Sequence, residues 1–221
     1  MIKVMVVDDH ELVRTGIIRI LNDAPGIRVV GEAASGEEAL ETAREKLPDV
    51  LLMDVSMPGI GGLEATRKLV QSEVKPKVIV VSIHSDEPFP SRMLKAGASG
   101  YLTKGCAVDE IITAIKAVYG GERYIGADVA QKLALKMAPG GNGSPFDALS
   151  PREMQVMLML TQGQRLQSIS DKLCLSPKTI STYRYRLYDK LGVSSDVDLA
   201  RLAMNYGIIE STSEDPALGM E

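Results

Sequence analysis

Cysteine is scarce in this chain, since only Cys106 and Cys174 occur among 221 residues. They show no pairing pattern, and no nearby histidine or cysteine could complete a zinc site. We therefore expect neither a disulfide framework nor structural zinc. Both thiols should be reduced, which favours the cytoplasm as the compartment.

Long uncharged apolar runs are also missing, so no segment is expected to span a membrane. The first apolar run begins at Ile2 and ends at Asp8, which is far too short for a signal peptide. These absences predict no export and no membrane partner.

Net positive charge is absent as well, because the chain carries a net charge of −4. Taken alone, this balance argues against binding of a polyanion over the whole surface. The distribution is uneven, however: residues 149–208 contain eight Lys/Arg and five Asp/Glu, whereas residues 1–148 contain 17 and 20. A basic segment thus follows an acidic one, and the length suits two modest domains.

Short β-branched runs alternate with amphipathic stretches over roughly the first half of the chain. Runs such as 78–81 are apolar at every position, which is typical of strands covered by helices on both faces. We predict five βα units forming a doubly wound parallel sheet. The predicted strands are Ile2–Val7, Ile27–Ala34, Val50–Met53, Lys77–Ser82 and Gly100–Leu102, and the predicted helices are Glu11–Leu21, Gly36–Lys46, Gly62–Gln71, Glu87–Ala96 and Val108–Tyr119.

The pattern changes to helices alone in the second half. A short helix, Asp128–Met137, leads into a segment rich in glycine and proline, 138–145, which we interpret as an interdomain linker. A small all-helical domain follows, and the chain closes with an acidic tail. Its four predicted helices are Pro151–Thr161, Gln167–Leu173, Pro177–Leu191 and Asp196–Tyr206.

Polar side chains follow four of the predicted strands. Asp8 and Asp9 come after the first strand, Asp54 after the third, Ser82 ends the fourth, and Lys104 lies just past the fifth. The carboxyl ends of parallel strands meet at one edge of the sheet, so these groups should lie together. Crowded carboxylates repel one another, and a hard cation such as Mg²⁺ relieves that repulsion with oxygen ligands.

A metal beside an exposed carboxylate predicts phosphoryl chemistry. Asp54 would attack phosphorus while Mg²⁺ and the Lys104 ammonium neutralise the phosphoryl oxygens. Asp9 would supply a metal oxygen, Asp8 would contribute directly or through water, and the backbone carbonyl of Ser56 could complete the protein ligands.

Each of these residues alone has a simpler interpretation. An Asp-Asp pair at a strand end is often a turn or a helix cap, Lys104 alone resembles a solvated surface lysine, and Ser82 alone resembles a turn residue. The glycines at positions 59, 61 and 62 lack dinucleotide-binding spacing and follow the third strand, so we interpret them as turn geometry. The conjunction of five polar residues at four strand ends favours a site.

The residues Val6-Val7-Asp8-Asp9-His10, Leu52-Met53-Asp54-Val55-Ser56-Met57-Pro58-Gly59 and Gly100-Tyr101-Leu102-Thr103-Lys104 resemble the receiver domain of two-component response regulators. The resemblance implies a strand order of 2-1-3-4-5. It also implies that Asp54 accepts phosphate from a histidine kinase, that Asp8, Asp9 and Asp54 hold Mg²⁺, and that Lys104 contacts the phosphate. Ser82 and Tyr101 match the hydroxyl and aromatic switch positions, while Gly105 stands where many receivers have proline.

The helix predicted at Pro177–Leu191 carries a basic, hydroxyl-rich face. Ser176 is its expected N-cap, with proline in the first turn. Short hydroxyl side chains can approach base edges while Lys and Arg bind phosphates, so the helix suits the major groove, although such a face is more often merely solvated. A short turn joins it to the preceding helix, as in a helix-turn-helix. The candidate DNA contacts are Lys178, Thr179, Ser181, Thr182, Arg184, Tyr185, Arg186 and Lys190.

The runs Leu149-Ser150-Pro151-Arg152-Glu153, Leu175-Ser176-Pro177-Lys178-Thr179-Ile180 and Tyr188-Asp189-Lys190-Leu191-Gly192 resemble the LuxR-type DNA-binding domain. Together with the receiver this resembles the NarL/FixJ class, and Ser181-Thr182-Tyr183-Arg184-Tyr185-Arg186 is similar to the GacA/UvrY branch. The resemblance implies a transcription regulator rather than an enzyme, a BarA/GacS-like hybrid sensor kinase as partner, and homodimers on promoter DNA. The expected boundaries are 1–120 for the receiver, 121–146 for the linker, 147–208 for the helix-turn-helix domain and 209–221 for the tail.

Two other functions remain as alternatives. A phosphohydrolase could use Asp54 as a covalent nucleophile, but such enzymes generally need a separate acid/base, and none is obvious beside Asp54. A receiver-like protein could also bind DNA without being phosphorylated. Turnover of phosphate esters would favour the first alternative, and DNA affinity independent of Asp54 would favour the second.

Overall fold

The computed structural model describes residues 1–86, 88–137, 144–206 and 208–209. The first domain, here called the α/β domain, confirms the predicted alternation of strands and helices. Its strands are β1 (Ile2–Val7), β2 (Ile27–Ala33), β3 (Val50–Met53), β4 (Lys77–Ser82), β5 (Gly100–Thr103) and β6 (Tyr124–Ile125). Its helices are α1 (Glu11–Asp23), α2 (Gly36–Lys46), α3 (Gly61–Gln71), α4 (Phe89–Lys95) and α5 (Val108–Tyr119).

The sheet is parallel throughout, with the order β2-β1-β3-β4-β5-β6. The order of the first five strands confirms the expectation, but the expected count of five was wrong because β6 was missed. After α5 the chain turns at Gly121, whose φ is +101°, and Tyr124 then pairs with Gly100 of β5. A two-residue strand has too little periodicity to be recognised in the sequence.

Helix α4 begins later than predicted. Its N-cap is Pro88, and Pro90 occupies the first turn, where a missing N–H costs no hydrogen bond. The predicted start, at Glu87, lies outside the described residues. The later start makes Phe89 the first residue of the helix, and its side chain is only 3% exposed.

Helix α6 (Ala127–Met137) packs on the α/β domain beside α4 and β5. Its buried Val129 joins a hydrophobic cluster with Tyr101 and Met93. Lys132 of α6 also bonds to the β4–α4 loop, with its ammonium 2.9 Å from Asp86. A helix at the predicted position is therefore confirmed, while residues 138–143 of the predicted linker lie outside the described residues.

The second domain, here called the helical domain, contains a 3₁₀ turn (Pro145–Ala148) and helices α7 (Pro151–Thr161), α8 (Leu166–Leu173), α9 (Pro177–Leu191) and α10 (Asp196–Asn205). Ser150 and Glu153 form a capping box at the start of α7. Ser176 accepts the Thr179 N–H at the start of α9, which confirms the predicted N-cap. Residues 210–221, which include nearly all of the predicted acidic tail, lie outside the described residues.

The two domains are docked. Phe89 of α4 lies within the hydrophobic core of the helical domain, and the half-buried Val55 packs against the same core. The Arg92 guanidinium donates to the carbonyls of Phe146, 2.6 Å away, and Leu149. A cavity of about 480 Å³ also lies between the domains, so their contact is incompletely filled.

Within the described part of the chain, no helix has both the length and the apolar character needed to cross a bilayer.

Candidate functional site

The predicted acidic cluster forms at the carboxyl edge of the sheet. Asp54 follows β3, and its N–H donates to the carbonyl of Val7 at the end of β1, 2.9 Å away, which brings Asp54 beside Asp8. Asp8 and Asp54 are 2% and 3% exposed. Carboxylate oxygens of Asp8, Asp9 and Asp54 lie within 4.8 Å of one another, together with a ring nitrogen of His10. This set of hard oxygen donors fits a divalent metal such as Mg²⁺.

Lys104 is the cation of this pocket. Its ammonium lies 2.7 Å from Asp8 Oδ2 and 3.0 Å from Asp54 Oδ2. The backbone N–H of Lys104 donates to the carbonyl of Ser82 at 2.8 Å, which fixes the β5–α5 loop beside the end of β4. The structure thus brings together all three aspartates and the lysine that the sequence analysis singled out.

Burial and charge act in opposite directions on these groups. Burial raises the pKa of Asp54 above its ordinary value and outweighs the nearby Lys104 ammonium, while Asp8 raises the pKa further. For Lys104, burial lowers the pKa, but the carboxylates of Asp54 and Asp8 outweigh burial and raise the pKa above its ordinary value. The lysine is therefore held in its charged form beside the carboxylate.

Ser82 and Tyr101, the two predicted switch residues, are completely buried, and each bonds to His84. The Ser82 hydroxyl accepts the N–H of His84 at 3.1 Å, and the Tyr101 hydroxyl donates to the carbonyl of His84 at 2.5 Å. The Ser56 hydroxyl lies 3.2 Å from Nε2 of the same histidine. Sequence reasoning missed His84, because no strand-end pattern marks it.

The glycines that follow Asp54 shape the loop around it, which confirms their interpretation as turn geometry. Gly59 and Gly61 both have a φ of +72°, a conformation that favours glycine. At Gly62 a Cβ atom would lie only 1.9 Å from the carbonyl oxygen of Asp54, so no larger residue fits there without moving the loop that follows Asp54.

The same loop is held by the helical domain. Gln155 of α7 donates to the carbonyls of Met57 at 3.0 Å and Gly59 at 3.1 Å, and Arg152 also donates to Gly59. The N–H of Gly59 in turn donates to the carbonyl of Lys172 in α8, at 3.0 Å. The residues three and five positions beyond Asp54 are thus bonded directly to the second domain.

Helix α9 presents the predicted DNA-binding face. Lys178, Thr182, Tyr185 and Arg186 are exposed, and Ser181 and Thr179 are half-buried. The buried Ile180 and Leu187 lie in the domain core. The hydroxyl-bearing, basic face is therefore accessible even though the domains are docked.

Of the four basic residues among the eight predicted DNA contacts, two form ion pairs within the domain. Arg184 pairs with Asp196 at 2.6 Å, donates to the Tyr188 hydroxyl at 2.8 Å and lies over the Tyr188 ring. Lys190 pairs with Glu153 at 2.7 Å. Helical spacing does not reveal partners on other helices. For this reason the sequence pattern placed Arg184 and Lys190 on the outward, DNA-binding face of α9.

Comparison with known proteins identifies both domains. Residues 4–116 match the response regulator receiver domain, and residues 147–203 match the LuxR family of bacterial regulatory proteins. The chain is 58% identical to the response regulator GacA of Pseudomonas syringae pv. syringae, over 96% of this chain and 100% of that protein. It is a LuxR-type response regulator. This response regulator is also 53% identical to UvrY of Escherichia coli K12, over 94% of this chain and 96% of UvrY.

Solved structures of response regulators show the same architecture. RcsB of Salmonella enterica serovar Typhimurium, bound to the promoter rprA in the presence of phosphomimetic BeF₃⁻, is 26% identical and has a TM-score of 0.67 over 91% of this chain and 97% of that one. The family membership confirms the predicted fold class, the GacA/UvrY resemblance and a role in two-component regulation of transcription.

Proposed function

We propose that Asp54 accepts a phosphoryl group from a sensor histidine kinase, and that this modification releases the helical domain to bind promoter DNA as a dimer. The observation that carries the proposal is the position of Asp54. Its carboxylate is bonded to Lys104, while the loop that follows it is bonded to α7 and α8 of the DNA-binding domain. Asp54 therefore connects the site of the proposed phosphoryl chemistry to the contact between the domains.

The chemistry requires an ionised Asp54 and a neutralised phosphoryl group. Asp54 Oδ1 accepts the N–H of Val55 at 2.7 Å and Oδ2 accepts from Lys104 at 3.0 Å, so both oxygens are oriented. A carboxylate oxygen would form the new bond to phosphorus as the bond to the kinase histidine breaks. Lys104 would then stabilise the charge on the phosphoryl oxygens. The acceptor role does not require the chain to be an enzyme, and we regard any dephosphorylation as incidental.

Asp8, Asp9, Asp54 and the backbone carbonyl of Ser56 are the groups that would hold Mg²⁺. When bound, the ion would neutralise charge on the carboxylates and on the phosphoryl oxygens. The three carboxylates have the close spacing and oxygen chemistry that such a site needs.

Ser82 and Tyr101 are the residues proposed to respond to phosphorylation. A phosphoryl group adds about two negative charges and strong acceptor oxygens, which can draw the Ser82 hydroxyl and Lys104 inward. Ser82 currently accepts the N–H of His84, so its movement would disturb the β4–α4 loop. Tyr101 is bonded to the same loop and would change its side-chain conformation with it.

The docked arrangement is the proposed resting state. The two domains are held together by Phe89 and by hydrogen bonds to backbone carbonyls. Between them lies a cavity of about 480 Å³ that neither domain fills. A contact of this kind is weak enough to be reversed by a few charge-assisted bonds. Because the α9 face is exposed in the docked state, we propose that docking limits the pairing of two chains rather than masking the DNA-binding face.

On DNA, we propose that α9 enters the major groove. Thr179, Ser181, Thr182 and Tyr185 would approach base edges, while Lys178 and Arg186 would bind phosphates. Arg184 and Lys190 would orient the helix through their ion pairs, and would reach DNA only by giving those pairs up. Paired domains predict two-fold operators with half-sites about one helical turn apart.

The remaining assignments follow from the family and the sequence. We propose a cytoplasmic location, a BarA/GacS-like hybrid kinase as the phosphoryl donor, and domain boundaries at 1–120, 121–146, 147–208 and 209–221.

The phosphoryl step is tested by incubating the protein with Mg²⁺ and acetyl phosphate and measuring the mass of the intact chain. We expect a phosphoryl adduct on the wild type and on Asp128→Asn, a control at an exposed aspartate outside the pocket, but none on Asp54→Asn. Equal labelling of Asp54→Asn would refute the proposal. Rapid steady hydrolysis of phosphate esters by the wild type would favour a phosphohydrolase instead.

A further inference from the structure

His84 bonds to three residues around the phosphoacceptor pocket. Its N–H donates to the Ser82 hydroxyl at 3.1 Å, its carbonyl accepts from the Tyr101 hydroxyl at 2.5 Å, and its Nε2 lies 3.2 Å from the Ser56 hydroxyl. Ser82 and Tyr101 are the residues that we expect to move on phosphorylation, and Ser56 lies two positions after Asp54. A change at any of them changes the bonding of His84.

The ring of the same histidine contacts the residue that enters the other domain. The rings of His84 and Phe89 are stacked, with centroids 4.2 Å apart and planes inclined by 19°. Phe89 is 3% exposed and is the buried α/β-domain member of a core otherwise built from the helical domain, against which the half-buried Val55 also packs. His84 is thus the direct neighbour both of the pocket and of the interdomain core.

The loop that carries His84 is anchored beyond it. Lys132 of α6 donates to the Ser85 hydroxyl at 2.6 Å and to the Asp86 carboxylate at 2.9 Å. This anchor limits how far the loop can move to absorb a displacement of His84. A shift of the ring should therefore be transmitted to Phe89.

We propose that His84 is a positioning residue that couples occupancy of the Asp54 pocket to docking of the helical domain. The proposal rests on the proposed function, in which Asp54 is phosphorylated. When the residues around Asp54 rearrange on binding the phosphoryl group, the bond between the Ser56 hydroxyl and the His84 ring is lost, the ring leaves its stacked position, and Phe89 is released from the helical core.

Docking can be followed at one amide. The N–H of Gly59 donates across the interface to Lys172, so its hydrogen exchange, measured by NMR, reports whether the domains are docked. The probe is beryllofluoride with Mg²⁺, added to the full chain. In the wild type we expect exchange of the Gly59 amide to become about tenfold or more faster with the probe.

Two substitutions separate the two contacts of His84. His84→Phe keeps an aromatic ring for stacking but removes the bond to Ser56, so Gly59 should stay protected at rest and respond to the probe by less than about twofold. His84→Gln keeps a hydrogen-bonding group but no ring, so Gly59 should already exchange rapidly without the probe. A residue needed only for stability would give the same result with both variants.

Ile83→Ala, at an exposed neighbour in the same loop, should behave as the wild type does. Ser56→Ala provides a second test, because it removes the partner of Nε2 and leaves His84 in place. In this variant, as in His84→Phe, beryllofluoride should accelerate exchange of the Gly59 amide less than in the wild type. A wild-type response in both His84→Phe and Ser56→Ala would overturn the proposal. If acetyl phosphate and beryllofluoride fail to modify or bind even the wild type, the proposed function itself fails, which is a distinct result.

Discussion

Replacing Gln155 by alanine should weaken the docking of the two domains without disturbing either fold. Gln155 lies on α7, and its amide donates to the carbonyls of Met57 and Gly59 in the loop that follows Asp54, at 3.0 and 3.1 Å. A neutral hydrogen bond contributes about 1 kcal/mol net, and Arg152 still donates to Gly59 in the variant. The expected loss is therefore about 1.5 kcal/mol, which shifts the docking equilibrium by roughly tenfold.

Exchange of the Gly59 amide measures this shift, because its N–H is bonded to Lys172 of the helical domain. In Gln155→Ala the amide should exchange about tenfold faster than in the wild type. DNA binding without a phosphoryl donor should rise in parallel, because release no longer depends fully on phosphorylation.

A matched control is Gln167→Ala. Gln167 is an exposed glutamine of α8 whose amide bonds, among the residues that the structure describes, only to Asp171 of its own helix, at 3.0 Å. The Gln167→Ala variant should leave hydrogen exchange of the Gly59 amide unchanged. Unaltered exchange in Gln155→Ala, with the protein folded, would refute the claim that α7 holds the loop that follows Asp54.

Three further predictions concern charged residues. Lys104→Met should slow labelling by acetyl phosphate about 100-fold, because the phosphoryl oxygens lose their cation; labelling at the wild-type rate in an intact-mass time course would contradict this. Lys190→Met leaves the buried Glu153 carboxylate without its ammonium and should cost about 2 kcal/mol in urea unfolding. Burial raises the pKa of Glu153, but the Lys190 and capping bonds outweigh burial and lower it, so its stabilisation is complete at neutral pH and is lost as the pH falls through the depressed pKa. In Lys190→Met the free energy of unfolding should fall less steeply as the pH is lowered. An unchanged dependence of this free energy on pH would count against the Lys190–Glu153 ion pair. Arg186→Ala should weaken binding to all DNA sequences and lower the salt slope by about one, whereas Arg184→Ala should mainly lower the melting temperature; the reverse pattern would show that the outward residue was misassigned.

The elements of the α/β domain were predictable because local signals agree with the tertiary structure. Strand β4 is buried over nearly its full length, as its unbroken apolar run indicated, and α2 begins and ends at the residues expected from its pattern. β6 escaped prediction because it holds two residues and is stabilised by pairing with β5 rather than by any pattern of its own. Pro88 and Pro90 shortened α4 in a way that periodicity alone does not reveal.

The pocket was predictable for a similar reason. Parallel topology places the ends of β1, β3 and β5 together, so Asp8, Asp54 and Lys104 could be assigned from strand ends alone. The contacts that join the pocket to the helical domain could not, because Gln155 and Arg92 bind backbone carbonyls, which carry no sequence signature. His84 was missed because its role depends on a ring stack.

The assignment of Arg184 and Lys190 shows a different limit. A helical wheel identifies the face on which a side chain begins, but a long side chain can reach a carboxylate on another helix. Asp196 lies in α10 and Glu153 in α7, and each captures a basic residue of α9.

Small-angle X-ray scattering of the monomeric chain, with and without beryllofluoride and Mg²⁺, most directly tests whether filling the Asp54 pocket separates the domains. We expect the radius of gyration of the wild type to increase with the analogue, and that of Asp54→Asn to stay at the docked value. If the analogue binds and raises DNA affinity while the wild-type scattering stays unchanged, domain release is not the means by which phosphorylation acts.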